Sequence, residues 1–450
     1  MNIFALIVGF SALSGQPKNF AYQDSKAVFV DFQSAEYSLD LNVTDKKATG
    51  RTKIRFEQSE AGFIVFDLRS TFQEIRINGE VTTATRMSAP DKVTNFLIVN
   101  KATLPGLHDL EVLHTIDKDV SFKNQNASAA FWFSDIDDGE LLEQYFPSNL
   151  EYDQYQMELL VKVIGNADPF KIFTNGDLLN RNPGEAVIRF PDYYNSAAPY
   201  FHLVPAKDFI EISEVFVSNK NKIIPLTIYG KKGASLTRYL TRAKATLNEL
   251  EADYGSFPHE KLLVYGNELF PGGMEYHGAT ITNFMALAHE ITHSYFGRGI
   301  MPSNGDAGWL DEAIASWRDK GYRRVDTLRQ TPKHLAQRSP YFRYTPMPAY
   351  NQGAEIMAHF DARIVKSGDQ RGLKSFLSKM LEDKLFKTWS TEEFQSQLEL
   401  FTGEDLKSIF NPFVYNKGMN DFSFKNESPA ANIFNEFHGR LTPKARKEIL

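Results

Sequence analysis

The sequence of 450 residues contains no cysteine, which excludes disulfide bonds, thiolate metal ligands and cysteine nucleophiles together. No stretch approaches the roughly 18 consecutive apolar residues that a transmembrane helix needs, so we expect no membrane span in the mature chain. The chain also lacks a strong excess of charge, since 50 basic and 56 acidic residues give a net charge of -6. This balance argues against nucleic acid or an anionic membrane surface as a partner.

The first 14 residues differ in composition from the rest of the chain. A short apolar core from Ile3 to Phe10 is followed by Ala12-Leu13-Ser14, which fits a small-x-small cleavage site. This pattern predicts a signal peptide at 1–14 and export to the periplasm or the medium. The basic residues that usually precede such a core are absent, so a cytoplasmic protein with an N-terminal strand remains the alternative.

Beyond this segment, the length predicts two or three domains. Residues 20–213 contain short alternating or apolar runs such as Phe63–Phe66, separated by turn pairs such as Asn78-Gly79 and Asn175-Gly176. Such spacing predicts an all-β domain, either a saddle or a sandwich. The pattern changes near residue 214, where Ser235 to Tyr254 carries apolar residues at helical spacing. We therefore expect an α+β domain at 214–424 and a short polar tail at 425–450.

The segment His289-Glu290-Ile291-Thr292-His293 carries the strongest chemical signal. Residues four apart lie on one face of a helix, so both imidazoles can reach one ion. Glu290 is rotated about 100° away and is placed to act as the general base for a metal-bound water. A catalytic zinc usually takes a third protein ligand and leaves one position open. Glu312, in a second apolar helical stretch, fits that role, and the prediction is one zinc ion per chain. Packing or capping histidines are the alternative.

The stretch Gly273 to Thr282 predicts a single strand that leads into the motif helix. Adjacent glycines at a sheet edge allow another backbone to approach and pair, so this strand is suited to an extended peptide.

Three signatures together resemble the gluzincin aminopeptidases, the family of membrane alanine aminopeptidase and leukotriene A hydrolase. The first is the His-Glu-x-x-His segment followed by Trp-Leu-x-Glu-Ala. The second is Gly272-Gly273-Met274-Glu275-Tyr276, which is similar to the family's Gly-x-Met-Glu-Asn with Tyr276 in place of Asn. The third is Tyr350-Asn351-Gln352-Gly353-Ala354, where Gln352 replaces the family's Lys.

The resemblance implies a thermolysin-like zinc metallopeptidase domain that removes the first residue from peptides with a free N-terminus. It implies substrate binding by Gly272, Gly273, Met274 and Glu275, with Glu275 on the α-ammonium group, and an oxyanion donor at Tyr350. It also implies a second carboxylate for the amine, which an ungapped match puts at Asp138. Asp135, Asp137, Glu140 and Glu143 crowd the same stretch, so a solvated acidic loop is the alternative. His277 is interpreted either as a packing residue or as a residue that supports the metal ligands from behind.

The resemblance covers about residues 133–418, and the large helical domain that roofs the site in most of the family has no counterpart here. We therefore expect a more open site, or one closed by oligomerisation. An open cleft also favours the first alternative function, a thermolysin-like endopeptidase. A non-catalytic binding protein that retains the fold is the second alternative.

Overall fold

The structure is a computed structural model of the chain. It describes residues 15–417 except 137–139, 183, 330–332, 337–338 and 343–344. The predicted signal peptide, the tail at 425–450 and the candidate Asp138 all lie outside the described residues. Within the described residues, no helix combines the length and apolar character that crossing a bilayer requires.

The first half of the described chain is built from strands, with short 3-10 helices at Leu142–Gln144 and Ala206–Asp208. The strands are β1 (Phe20–Tyr22), β2 (Ser25–Phe29), β3 (Asp31–Asn42), β4 (Lys47–Gln58), β5 (Phe63–Phe66), β6 (Phe72–Ile77), β7 (Glu80–Thr82), β8 (Ala84–Ser88), β9 (Asn95–Val99), β10 (Gly106–Thr115), β11 (Val120–Lys123), β12 (Asn126–Ala130), β13 (Gln156–Ile164), β14 (Phe170–Thr174), β15 (Asp177–Asn182), β16 (Glu185–Phe190) and β17 (Phe201–Pro205).

These strands form three sheets. Their orders are β1-β2-β5-β9-β8, β15-β16-β13-β3-β4-β10-β6-β7 and β11-β12-β17-β14. Side chains alternate between buried and exposed along β4, because successive residues of a strand point to opposite faces. The predicted turn at Asn78-Gly79 joins β6 to β7 with both residues at positive φ, as the tightest hairpin turns require. The expected all-β part is confirmed.

The second half mixes strands with helices and adds a 3-10 helix at Met347–Tyr350. Its elements are β18 (Phe209–Val217), β19 (Ile223–Lys231), α1 (Leu236–Tyr254), β20 (Leu262–Gly266), β21 (Gly273–Tyr276), β22 (Ala279–Thr282), α2 (Leu287–His293), β23 (Met301–Pro302), α3 (Leu310–Asp319), α4 (Gln352–Ser367), α5 (Leu373–Asp383), β24 (Thr388–Trp389), α6 (Thr391–Thr402) and α7 (Lys407–Phe413). The expected α+β part is therefore confirmed as well.

The sheet that carries the site has the order β18-β19-β20-β22-β21 and separates two hydrophobic cores. Along β20, Leu263 and Tyr265 pack into the core of the N-terminal sheets, whereas Leu262 and Val264 pack into the helical core. Both faces of this sheet are therefore buried, which explains why its central strands have continuous apolar sequences. β18 crosses residue 213, so this sheet begins before the expected boundary between the two parts.

The region from Gly273 to Thr282 corrects one expectation. It forms an antiparallel hairpin, β21 and β22, rather than one continuous strand. Gly278 makes the reversal possible, because its φ is +62° and a Cβ there would lie 2.5 Å from the Lys261 carbonyl oxygen. The hairpin leaves β21 at the edge of the sheet, as predicted, and β22 leads into α2.

Candidate metal centre

Helix α2 presents the two histidines of the motif side by side. Leu287 and Ile291 lie on its other side, fully buried in the helical core, and fix the rotation of the helix. The Asn283 side-chain oxygen accepts a hydrogen bond from the Ala286 N–H at 2.9 Å and sets its start. The apolar segment just before the helix is not buried, since Met285 is 75% exposed.

The three predicted metal ligands meet at one point. Glu312 Oε2 on α3 lies 3.0 Å from His289 Nε2 and 3.5 Å from His293 Nε2. Tetrahedral zinc with bonds of about 2.0–2.1 Å separates its ligand atoms by roughly 3.4 Å. Two imidazole nitrogens and one carboxylate oxygen are also a common zinc ligand set. The residues therefore fit a zinc ion.

Each ligand is held by a further partner. Asp319 Oδ2 lies 2.6 Å from His289 Nδ1, and the Phe296 carbonyl oxygen lies 3.2 Å from His293 Nδ1. Carboxylate and carbonyl acceptors put a proton on Nδ1 and leave Nε2 to face the metal. The sequence prediction missed Asp319, although it follows Glu312 by two helical turns and so lies on the same face of α3.

The carboxylates also set the charge of the histidines. Burial lowers the pKa of His289, but hydrogen bonds to Asp319 and Glu312 outweigh it and raise the pKa to about 10. Burial acts against Glu312 as well, yet the neighbouring imidazoles hold the pKa of its carboxyl well below the usual range. The centre is thus built to balance positive charge, which a divalent ion would supply in place of protons.

Glu290 lies beside the ligands and is buried. Its Oε2 has no hydrogen-bond partner within the described part of the chain, and burial raises its pKa to about 8. Gly273 of β21 packs directly on this carboxyl group, because a Cβ at that position would lie 2.3 Å from Glu290 Cδ. The predicted glycine therefore makes room for the predicted base.

Tyr350 approaches the centre from the 3-10 helix. Its hydroxyl donates a hydrogen bond to Glu312 Oε1 at 2.7 Å, and its ring lies nearly parallel to that of His289. Burial keeps the pKa of this hydroxyl well above its ordinary value, so the oxygen retains its proton.

A narrow cleft runs between β21 and these residues. Among the described residues it is lined by Ser134, Asp135, Ile136, Gly273, Met274, Glu275, His289, Glu290, Glu312 and Tyr350. All predicted site residues that the structure describes line the cleft except Gly272 and His293. His293 still belongs to the site, because its Nε2 meets the other two metal ligands. Gly272 precedes β21 with φ at +108°.

Two acidic groups in the cleft have partners that the sequence did not predict. Glu275 Oε1 lies 2.9 Å from Arg298 Nη2, and both side chains are almost completely buried. Asp135 comes from the acidic stretch that contains Asp138, and its Oδ2 accepts the Thr345 hydroxyl at 2.8 Å. Burial and the nearby charges of Glu275 and Glu312 raise the pKa of Asp135 to about 7. Of the acidic candidates that the structure describes, Asp135, Glu140 and Glu143, it is Asp135 that lines the cleft.

His277 lies in the turn of the hairpin. Its ring is buried among Tyr194, Phe386 and His259, and burial holds its pKa well below the usual value. It is absent from the groups of residues whose ligand atoms converge. The interpretation of His277 as a packing residue agrees with these contacts.

Comparisons with known proteins bear on the fold. No protein-family model matches the sequence, and no curated protein matches it. Solved structures similar to it include aminopeptidase A from Legionella pneumophila in complex with aspartic acid, with a TM-score of 0.63, 12% identity, and coverage of 87% of this chain and 50% of that one. The chain thus spans half the length of that enzyme.

This chain covers a larger share of two further solved structures. Leukotriene A4 hydrolase from Saccharomyces cerevisiae has a TM-score of 0.59 and 14% identity, over 87% of this chain and 68% of that one. A mutant M1 zinc metallopeptidase from Deinococcus radiodurans, bound to a Tyr-Ser-Ala substrate, has a TM-score of 0.60 and 13% identity, over 87% and 95%. The resemblance drawn from the sequence is thereby confirmed at the level of architecture, and the chain has the fold of the M1 zinc metallopeptidases.

Proposed function

We propose that the protein is a zinc-dependent aminopeptidase that hydrolyses the first residue from peptides. One observation carries the proposal: two imidazoles and a carboxylate converge within 4.8 Å of one another, beside a buried carboxyl group that has no hydrogen-bond partner on its Oε2 among the described residues. A zinc ion bound there would acidify a water molecule and polarise the scissile carbonyl. Because the sequence predicts a signal peptide, we also propose that the protein is exported.

Glu290 acts as the general base and then as the general acid. Its carboxylate takes a proton from the attacking water and returns it to the leaving amine, so one group serves both halves of the reaction. A raised pKa suits this role, because a proton-transfer group works best when its pKa lies near the working pH. Gly273 lets the carboxyl group lie directly against the edge strand that would hold the peptide.

Tyr350 supplies a hydrogen-bond donor at the opposite wall. Its hydroxyl is protonated and fixed on Glu312, 2.7 Å from one carboxylate oxygen. To act on the substrate, the hydroxyl would turn its single proton from Glu312 to the carbonyl oxygen, where a hydrogen-bond donor stabilises the negative charge that develops.

The α-ammonium group of the substrate would be bound by Glu275 and Asp135. Both line the cleft with the metal ligands, and a charge-assisted hydrogen bond to each would fix the chain terminus one residue from the scissile bond. Asp135 takes the role that the resemblance gave to Asp138. Glu275 shares its charge with Arg298, so Asp135 becomes the larger contributor.

Substrates with and without a free terminus test this proposal. The zinc-loaded enzyme is assayed on a panel of aminoacyl arylamides and on peptides with free or acetylated N-termini, with and without chelator. We expect cleavage of free termini only, and loss of activity when zinc is removed. Equal cleavage of acetylated peptides would contradict the aminopeptidase proposal and leave a zinc peptidase.

That outcome would favour the second candidate, a thermolysin-like endopeptidase. The contact that supports this candidate is the ion pair between Arg298 and Glu275, which already neutralises one of the two amine anchors. Glu275→Ala separates the two candidates. In an aminopeptidase it raises KM for free peptides and weakens discrimination against acetylated ones, whereas in an endopeptidase both values stay at the parent level.

Glu290→Gln tests the base itself. The substitution keeps size and hydrogen bonding but cannot accept the proton, so we expect kcat to fall by about 10³-fold with zinc retained. Zinc content is measured by atomic absorption on the same sample. Turnover close to that of the parent would remove Glu290 from the base role.

A further inference from the structure

The C-terminal end of α3 is firmly held beside the metal centre. Trp317 is completely buried in the helical core. The next residue, Arg318, contacts Glu249 of α1 twice, with Nε 3.0 Å from Oε1 and Nη2 2.6 Å from Oε2. A bidentate pair of this kind fixes direction as well as distance. The two residues that follow Arg318 therefore start from a well-defined position.

These two residues reach two different walls of the site. Asp319 holds the His289 ring through its Nδ1 atom. Lys320, the C-cap residue of α3, donates from Nζ to the Tyr350 carbonyl oxygen at 2.5 Å and to Asn351 Oδ1 at 3.2 Å. Tyr350 is the last residue of its 3-10 helix, and a lysine that donates to the last carbonyl of a helix stabilises that end. One lysine thus ties α3 to the segment that carries Tyr350.

Close packing ties the same segment to α3 a second time. Gly353 of α4 lies against Ala313 of α3, because a Cβ at Gly353 would come within 2.7 Å of Ala313 Cβ. Ala313 directly follows the ligand Glu312 in sequence, and Tyr350 donates its hydroxyl proton to Glu312. The backbone around Tyr350 is therefore anchored to the helix that supplies the metal ligand.

The chemistry proposed for Tyr350 needs such an anchored backbone. Its hydroxyl has to turn its proton from Glu312 to the substrate carbonyl oxygen, and only the O–H bond changes direction if the phenol ring stays in place. The ring centre lies 6.4 Å from that of His289, with 20° between the ring planes. A shift of the Tyr350 backbone would move the hydroxyl relative to the metal ligands, and a misplacement of about 1 Å costs on the order of 10²-fold in rate.

We propose that Lys320 is a positioning residue for the oxyanion donor, an inference that rests on the proposed aminopeptidase function. Lys320 acts through Tyr350 rather than on the substrate, because it holds the Tyr350 carbonyl oxygen and the Asn351 side chain to the end of α3. Its effect falls on kcat, since the Tyr350 hydroxyl serves the transition state and the α-ammonium group is bound by other residues.

Lys320→Met tests this role, since it removes the donor and keeps an apolar stem. We expect kcat for an aminoacyl arylamide to fall about tenfold with KM and zinc content unchanged, less than for a full 1 Å misplacement because one tie remains. Calorimetry should show a similar loss of affinity for a phosphinic dipeptide analogue, whose tetrahedral group imitates the developing oxyanion. Lys320→Arg keeps a donor and should recover most of kcat. Parent kcat and parent phosphinate affinity in a folded Lys320→Met protein would overturn the assignment.

A double substitution shows whether Lys320 acts through Tyr350. Tyr350→Phe deletes the hydroxyl, and in that background Lys320→Met should lower kcat by less than about twofold. The same tenfold loss in both backgrounds would overturn the positioning role, since it would reveal a general structural effect. The matched control is Lys379→Met on α5, an exposed lysine paired with Asp383, which should leave kcat and phosphinate affinity at the parent level.

The outcomes separate this inference from the proposed function. A parent protein that binds zinc but hydrolyses no substrate of the panel would contradict the aminopeptidase proposal, and weaker phosphinate binding by Lys320→Met would still support the positioning role. If the parent is active and Tyr350→Phe lowers kcat while Lys320→Met does not, the positioning role alone is overturned.

Discussion

His114 in the β-rich part and His293 in the metal centre show how two equally buried histidines acquire opposite properties. Both rings are at most 1% exposed. His114 on β10 has a carbonyl partner, Tyr145 O at 2.7 Å, and burial lowers its pKa to about 4. Burial also acts on His293, but Glu275 and Glu312 outweigh it and raise its pKa well above the usual value.

The difference teaches that burial alone does not mark a functional histidine. In the β-rich part, buried polar groups such as Asp153 and Asn149 bond to each other and to backbone atoms, so they hold strands together. In the centre, burial and neighbouring carboxylates raise the pKa of Glu290 and of Asp311. Buried titratable groups that shift one another's pKa are therefore the better indicator of a binding site.

The strongest test of the comparison exchanges each histidine in turn. His293→Ala removes one of three ligands, so we expect loss of zinc and of all hydrolysis. His114→Gln removes an equally buried ring far from the ligands, and we expect parent levels of zinc and kcat/KM with lower stability. Zinc content and activity are measured on both variants. Loss of zinc from His114→Gln would contradict the claim that only the histidine of the metal centre is needed to bind zinc.

Gly273→Ala probes the contact between the edge strand and the base. The added Cβ would lie 2.3 Å from the Glu290 carboxyl carbon, so the carboxyl group must move. A displacement of about 1 Å in a catalytic group costs on the order of 10²-fold in rate, and we expect a loss of that size in kcat with zinc retained. Gly79→Ala, in the turn between β6 and β7, is the control and should alter stability only. Unchanged kcat in Gly273→Ala would mean that the base is not held by this contact.

The buried His114 of the β-rich part should make the stability of the protein depend on pH. His114 takes up a proton near pH 6.5 in the unfolded chain but only near pH 4 in the folded protein. Between these values the unfolded state binds more protons than the folded state. The contribution of His114 to the unfolding free energy is therefore complete above pH 6.5 and is lost as the pH falls toward 4. The loss amounts to about 3 kcal/mol.

Urea unfolding of the parent and of His114→Gln across this pH range measures the effect. The variant should show a shallower fall in unfolding free energy between pH 6.5 and 4 than the parent. Parallel curves for the two proteins would show that His114 does not titrate in this way.

The smallest expected effect lies at the start of α6. The Ser390 hydroxyl accepts a hydrogen bond from the Glu393 N–H at 3.1 Å, so Ser390→Ala should cost about 1 kcal/mol of stability without a change in kcat/KM. Ser396→Ala, within the same helix and exposed, is the control and should change stability by less. Urea midpoints and initial rates are compared for both. A change in kcat would show that α6 is coupled to the centre.

Much of the fold was predictable because its signals are local. The apolar stripe from Leu236 to Tyr254 forms α1, and Gly255 follows it as the C-cap residue. The Ser390 hydroxyl likewise caps the start of α6 from within its own sequence. The hairpin between Gly273 and Thr282 was missed because every residue on either side of the turn is compatible with a strand, and only the positive φ of Gly278 reverses the chain.

The sequence by itself determined the chemistry of the centre. His289, Glu290 and His293 have a fixed relative geometry because the helix imposes it, and Glu312 was recognisable as a carboxylate in an apolar helical stretch. Only the tertiary structure decided that Asp135 lines the cleft and that Arg298 pairs with Glu275. These contacts join distant segments, and their distances depend on how sheets and helices pack rather than on any repeat in the chain.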